Sequence, residues 1–173
     1  MATNLEFIKS QSLTSSASIF TVTDCFNAKY DVYMISINSL VQATSNTYTN
    51  MRLVDSGGNV ISDSEYDRAE LQMTSYSSFE ETRTTTSDLM LDRLNFNQSS
   101  ATGVGITIMV YNPFDSSSFT FANSQSVGFA ASSGGIGFRG IAVHKSAESI
   151  SGVSFHMDTG NINSATVNVY GVK

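Results

Sequence analysis

The sequence predicts an all-β protein, a single antiparallel β-sandwich of jelly-roll-like type spanning residues 1–173 as one domain. Three observations carry this reading. Apolar and polar residues alternate with period two in short stretches, the pattern of strands that turn one face to a core. These stretches recur at intervals of about 8 to 12 residues and are separated by Gly, Asn, Asp and Ser turn signals, as in sandwiches and jelly rolls. No long amphipathic helical pattern interrupts them, and no repeat or linker marks a second domain.

In chain order, Leu5–Ile8 is a short apolar patch followed by a polar run, Ser10–Ser18. Ile19–Thr23 is the next strand, and Asp24–Lys29 breaks the pattern. In Tyr30–Asn38, Tyr33, Ile35 and Ile37 share one face while Val32 and Met34 make the other partly apolar, so this strand is expected to be central and covered on both sides. Thr47–Val54 alternates again and ends in Asp55-Ser-Gly-Gly-Asn59, a turn whose adjacent glycines supply positive φ. Between Val60 and Gln98, Ala69–Met73 and Leu89–Phe96 read equally as strand or short helix, and Glu80–Ser87 as a loop or strand edge.

Val104–Tyr111 is a β-branched strand stopped by Asn112-Pro113, a chain-reversal signal. Ser118–Ala122 and Val127–Ala131 read as two strands separated by Asn123-Ser-Gln, and Ser132-Ser-Gly-Gly135 as a second glycine turn before Ile136–His144. The chain then runs into a terminal hairpin. Val153, Phe155 and Met157 alternate with polar residues, Asp158–Asn161 turns, and Ala165, Val167 and Val169 alternate with Thr166, Asn168 and Tyr170. A last strand this apolar must pair inside a sheet.

Composition narrows the function. Charged residues make up 14% of the chain, Ser and Thr together roughly a quarter, and the net charge is −6. That charge argues against non-specific nucleic-acid binding. The single cysteine, Cys25, excludes an intramolecular disulfide framework. The start of the chain lacks a signal peptide's cationic and apolar regions, and no apolar run is long enough for a membrane helix, so synthesis in the cytoplasm without membrane insertion is expected.

The residues that could carry chemistry are few. His156 lies on the polar face of a strand and reads as a solvated or hydrogen-bonding histidine rather than a general base. Neither it nor His144 forms a ligand pair at useful spacing, and Cys25 has no Cys or His nearby for a zinc site, so it reads as a small buried residue. Glu80, Glu81, Asp88 and Asp92 could approach one another as glycosidase acids do, but sequence supplies no separation. Asp55, Asp63 and Asp67 lack the ligand spacing of a calcium loop. Gly103-Val-Gly105 and Gly135-Ile-Gly137 open no helix, so they read as turn or packing glycines rather than phosphate loops. The expectation is no catalytic, metal or cofactor site, and an enzyme such as a glycan hydrolase is the disfavoured reading.

Four stretches also form a pattern: Tyr30-Asp-Val-Tyr-Met-Ile-Ser-Ile37, Met51-Arg-Leu-Val-Asp-Ser-Gly-Gly58, Val104–Pro113, and Gly160-Asn-Ile-Asn-Ser-Ala-Thr-Val-Asn-Val-Tyr-Gly-Val172. It resembles a family of small tailed-bacteriophage virion proteins, common in marine phages, that are similar to the β-sandwich domains of tail fibres and capsid-surface proteins. The resemblance covers most of the chain except roughly Ser62–Gln98. It implies a non-enzymatic structural protein of the virion, mounted on the capsid as decoration or cement or carried in the tail or fibre apparatus. It also implies an oligomer in contact with other virion proteins, and the second apolar face that Val32 and Met34 give their strand favours a symmetric homo-oligomer such as a trimer. The alternative is a module that binds carbohydrate, such as a host-surface glycan, or a host receptor. Exposed aromatics beside Asp and Asn would favour sugar binding, and a broad apolar face would favour assembly.

Overall fold

The computed structural model describes residues 4–45, 47–76, 79–97, 104–130 and 134–173. Among these, thirteen strands and no helix build two antiparallel sheets packed face to face. The wide sheet runs in the order β1 (Leu5–Leu13), β13 (Ile162–Val172), β3 (Val32–Ile37), β9 (Gly105–Tyr111), β10 (Thr120–Ala130), β11 (Gly134–His144), β6 (Tyr66–Thr74) and β7 (Glu80–Ser87). The two-residue strand β4 (Val41–Gln42) pairs with the N-terminal part of β13. The narrow sheet is β2 (Ile19–Val22), β12 (Ile150–Met157), β5 (Thr47–Asp55) and β8 (Leu91–Asn97). Each narrow-sheet strand is entered from the wide sheet and returns to it, so no two of them are consecutive in sequence.

Alternation explains the core. Tyr33, Ile35 and Ile37 of β3, Ile106, Ile108 and Val110 of β9, and Ala165, Val167 and Val169 of β13 are buried in one cluster with Met51 and Leu53 of β5 and Val153 and Phe155 of β12. Burying each such side chain stabilises the fold by roughly 1.5–3 kcal/mol. Two close approaches require glycine. At Gly171 a Cβ would lie 2.4 Å from the Tyr30 ring, and at Gly152 it would lie 2.2 Å from the Val22 carbonyl oxygen. The Asp55–Asn59 turn forms as read: the Asp55 amide donates to the Asn59 carbonyl (2.9 Å), and Gly58 takes a φ of 84°.

The sandwich and the central place of β3 agree with the sequence reading; the stretches left open between Val60 and Gln98 resolve as strands, while β1, β10 and the C-terminal pair of strands differ from the reading. The polar run after Ile8 continues β1 as a strand to Leu13. It can be polar because Lys9 Nζ and Gln11 Nε2 donate to the Thr23 and Thr21 carbonyls (2.6 and 2.8 Å), satisfying the open side of β2. Ala69–Met73 and the stretch from Leu91 are strands, and Glu80–Ser87 is the edge strand β7, whose Glu80, Glu81 and Arg83 protect it from edge pairing. Thr120–Ala122 and Val127–Ala130 belong to one continuous strand, β10, rather than two, while Ser118 and Phe119 precede it: Ser124 and Ser126 are buried and Asn123 and Gln125 exposed, so the polar middle keeps the period. Ala131–Ser133 lie outside the described residues.

The last two strands are not a hairpin. β12 pairs with β2 and β5, β13 pairs with β1 and β3, and the Asp158–Asn161 turn carries the chain from one sheet to the other. The terminal strand is interior, as its apolar face demands.

Val167→Ala with Val169→Ala should lower stability by about 1–3 kcal/mol per site through lost burial and cavities, whereas Thr166→Ala, half-buried on the opposite face, should stay within about 1 kcal/mol. Thermal unfolding followed by circular dichroism separates the two cases.

Candidate functional site

The outer face of the wide sheet is the first feature that the core does not consume. Cross-strand register aligns Phe7, Tyr170, Met34, Met109, Asn123, Ile141, Ala69 and Arg83 in one row from β1 to β7. The adjacent row carries Leu5, Val172, Val32, Tyr111, Phe121, Val143 and Asp67. The two rows form an apolar belt across the sheet. Its exposed members include Phe7 at 58%, Ile141 at 62% and Phe121 at 40%. Phe7 and Tyr170 stack edge to face at 5.8 Å, and Asn123 Nδ2 donates to the Tyr111 hydroxyl at 2.9 Å. Toward β7 the belt dips into a concavity of about 730 Å³ bordered by Phe121, Ile141 and Val143 and by Asp67, Asn123 and Arg83.

A second feature lies inside the sandwich. Arg68 Nη1 meets Glu70 Oε2 at 2.7 Å, its Nη2 meets Asp92 Oδ2 at 2.9 Å, and its Nε donates to Ser87 Oγ at 2.9 Å. Glu70 is buried and also accepts from the Asp92 amide at 3.1 Å. Burial pushes its carboxyl above the usual carboxylate range, against the opposing pull of Arg68. The cluster joins β6, β7 and the start of β8. Of the four carboxylates read as possible acids, only Asp92 reaches it: Asp88 is ion-paired with Arg52, and Glu80 and Glu81 are exposed on β7. Asp88, Asp92 and Glu81 are thus paired with three different arginines, Arg52, Arg68 and Arg83.

The third feature surrounds His144, which is fully buried at the end of β11. Its Nε2 lies 3.3 Å from Glu65 Oε2 and 3.7 Å from Glu148 Oε1, and its ring packs on Tyr66 at 4.9 Å between centroids. These three residues are the ones that could hold a metal ion among the described residues. Sequence spacing shows only the i,i+4 pair His144 and Glu148. Glu65 arrives through the pairing of His144 with Tyr66.

The other sequence candidates have structural places. Cys25 is buried, its Sγ 3.6 Å from the Val22 carbonyl, and burial pushes its thiol up to about 12. Asp55 holds its own turn by accepting from the Asn59 amide at 2.8 Å, and those hydrogen bonds lower its pKa. Asp67 pairs with Lys145 at 2.7 Å and Asp63 is exposed, so the three aspartates serve separate roles. Gly105, Gly135 and Gly137 sit in strands, and Gly103 lies outside the described residues. His156 is half-buried on β12. Burial first, and the nearby Arg52 second, hold its imidazole below the ordinary value.

No family model matches the sequence, and no curated protein matches it. Among solved structures, the exo-inulinase from Aspergillus awamori is similar at 11% identity and a TM-score of 0.45, over 96% of this chain and 29% of the inulinase chain. A structure of Bacillus endospore appendages, described as a family of disulfide-linked pili, is similar at 8% identity and a TM-score of 0.29, over 99% of this chain and 95% of that one. The CBM2 module of the Lactobacillus casei BL23 phage J-1 evolved Dit is similar at 10% identity and a TM-score of 0.26, over 90% and 69%. The chain thus spans less than a third of the inulinase. Likeness this weak assigns it neither an activity nor a family.

Two outcomes are expected. Arg68→Met strands Glu70 as a buried charge and should cost about 3–5 kcal/mol in chemical denaturation. The lowered pKa of His156 contributes stability that is present above its unfolded value of about 6.5 and lost as pH falls through the lower folded value. His156→Gln should therefore flatten the fall in melting temperature between pH 7 and pH 5.

Proposed function

We propose that this protein is a non-enzymatic structural component of a bacteriophage particle, placed on the capsid surface as decoration or cement or in the tail or fibre apparatus. It is made in the host cytoplasm and assembles as a homo-oligomer, a trimer, through the outer face of the wide sheet. The observation that carries the reading is the apolar belt from Phe7 to Ile141. A sheet face needs one apolar side to build a sandwich, and this sheet has two. A largely apolar belt reaching from β1 to β11 invites a partner, because monomers in water rarely expose apolar patches beyond a few hundred Å². The four-stretch resemblance to tailed-phage virion proteins supports the same class, and a subunit held by symmetry buries such a face against copies of itself.

One observation favours the alternative, a carbohydrate- or receptor-binding module. The concavity beside Phe121 sets an aromatic face next to Asp67, Asn123 and Arg83, the mixture that stacks on a sugar ring and hydrogen-bonds its hydroxyls.

Sedimentation velocity at tens of micromolar should give a trimer that Phe121→Ser with Ile141→Ser converts to a folded monomer. Copy-number measurement by mass spectrometry on purified particles should find the protein at symmetric stoichiometry. A monomeric parent protein that is absent from particles and binds a host glycan would replace this reading with the alternative.

A further inference from the structure

Groups with metal-ligating chemistry converge where the chain passes between the sheets. Residues 56–65 carry it from β5 to β6, and residues 145–149 from β11 to β12. His144 ends β11 directly opposite Tyr66, so Glu65 and Glu148 reach the same imidazole from the two crossings. The Lys145 amide also donates to the Glu65 carbonyl at 3.0 Å, which fixes the two crossings to each other. Nε2 and the two carboxylate oxygens are separated by 3.3 and 3.7 Å along the His144 pairs, and all three lie within 4.8 Å of one another. Ligand atoms at about 2.0–2.1 Å from a tetrahedral zinc ion stand about 3.3–3.5 Å apart. The backbone has therefore already brought the donors close to the spacing of three corners of such a site.

Two independent observations point to a cation there. The first is charge. Among the described residues neither Glu65 nor Glu148 pairs with a lysine or arginine, and Lys145 is turned to Asp67 (2.7 Å) and the Thr85 carbonyl (2.7 Å). The second is the far side of the ring. His144 has no exposed surface, and its Nδ1 has no hydrogen-bond partner. Thr120, which faces His144 across the other ladder, carries a buried Oγ1 that also lacks one. A metal-bound imidazole carries its proton on the other nitrogen and needs an acceptor for it. Thr120 Oγ1 is an unpaired oxygen at the facing position of the neighbouring strand.

We propose that Glu65, His144 and Glu148 bind a divalent transition-metal ion of the zinc class, with Nε2 and one oxygen of each glutamate as ligands and water in the remaining position. In the loaded site one bridging water links Nδ1–H to Thr120 Oγ1. Calcium does not suit the set, since it takes six to eight oxygen ligands and no imidazole. The ion acts as a clip between two sheet-to-sheet crossings; the fold forms without it and holds more firmly with it.

Zinc titration of the full chain tests this. The sequence has two histidines, so a side-chain NMR spectrum has two imidazole signals, which His156→Gln assigns. One zinc per chain should shift the His144 signal to saturation and leave that of His156 in place. Excess zinc should raise the unfolding midpoint by about 5 °C over chelator-treated protein. Glu65→Gln and Glu148→Gln should each weaken zinc at least about tenfold and abolish most of that rise. Both should melt with chelator as the parent does, because both side chains are partly exposed. A His144 signal unmoved by millimolar zinc, or equal affinity in the parent and both variants, would overturn the site and leave an imidazole held between two carboxylates.

Discussion

Every strand of the narrow sheet is reached from the wide sheet and left toward it. That constraint orders the rest. Because the chain crosses repeatedly around one apolar interior, strands far apart in sequence become neighbours, and each sheet is stitched by residues of the other. It places the crossings at the ends of the strands. Both surfaces of interest follow from it: the belt residues Phe7, Phe121 and Ile141 stay exposed on the outer face of the wide sheet, and the His144 group lies where two crossings meet.

The fold was largely legible because period-two alternation survives wherever one face is buried. Val32 and Met34 announced a two-sided strand, and β3 lies between β13 and β9 with both faces largely apolar. The reading failed where polarity and conformation part company. Ser10 and Ser12 belong to a strand because β1 serves the β2 edge through side chains rather than through an apolar face. Asn123 and Gln125 read as a break because both are polar at successive outward positions of one strand, although buried Ser124 and Ser126 keep β10 continuous. The C-terminal strands part into different sheets for another reason: a tight turn specifies reversal, and it does not specify which layer receives the next strand.

Candidate chemistry was less legible than fold. Glu70, Asp92 and Arg68 form the interior ion cluster, yet local spacing gives no hint that Asp92 would leave its neighbour Asp88 for a partner on β6. Glu65 and His144 are 79 positions apart and meet only through strand pairing. Electrostatics then separates three acidic environments: exposed carboxylates on β7, an interior cluster in which Arg68 bridges Glu70 and Asp92, and a half-open pair around a buried imidazole. Only the last combines negative charge with unsatisfied buried polar groups.

The first strand of the fold is completed by the last. β1 and β3 both pair with β13, and the Lys173 amide donates to the Asn4 carbonyl at 2.9 Å. Contact order is therefore high, and loop closure across nearly the whole chain must precede the reward of pairing, which places such topologies among slow folders. During synthesis β1 and β3 wait with open edges until β13 leaves the ribosome. The polar character of β1, with Lys9, Ser10, Gln11 and Ser12 in succession, keeps that waiting edge from seeking other chains.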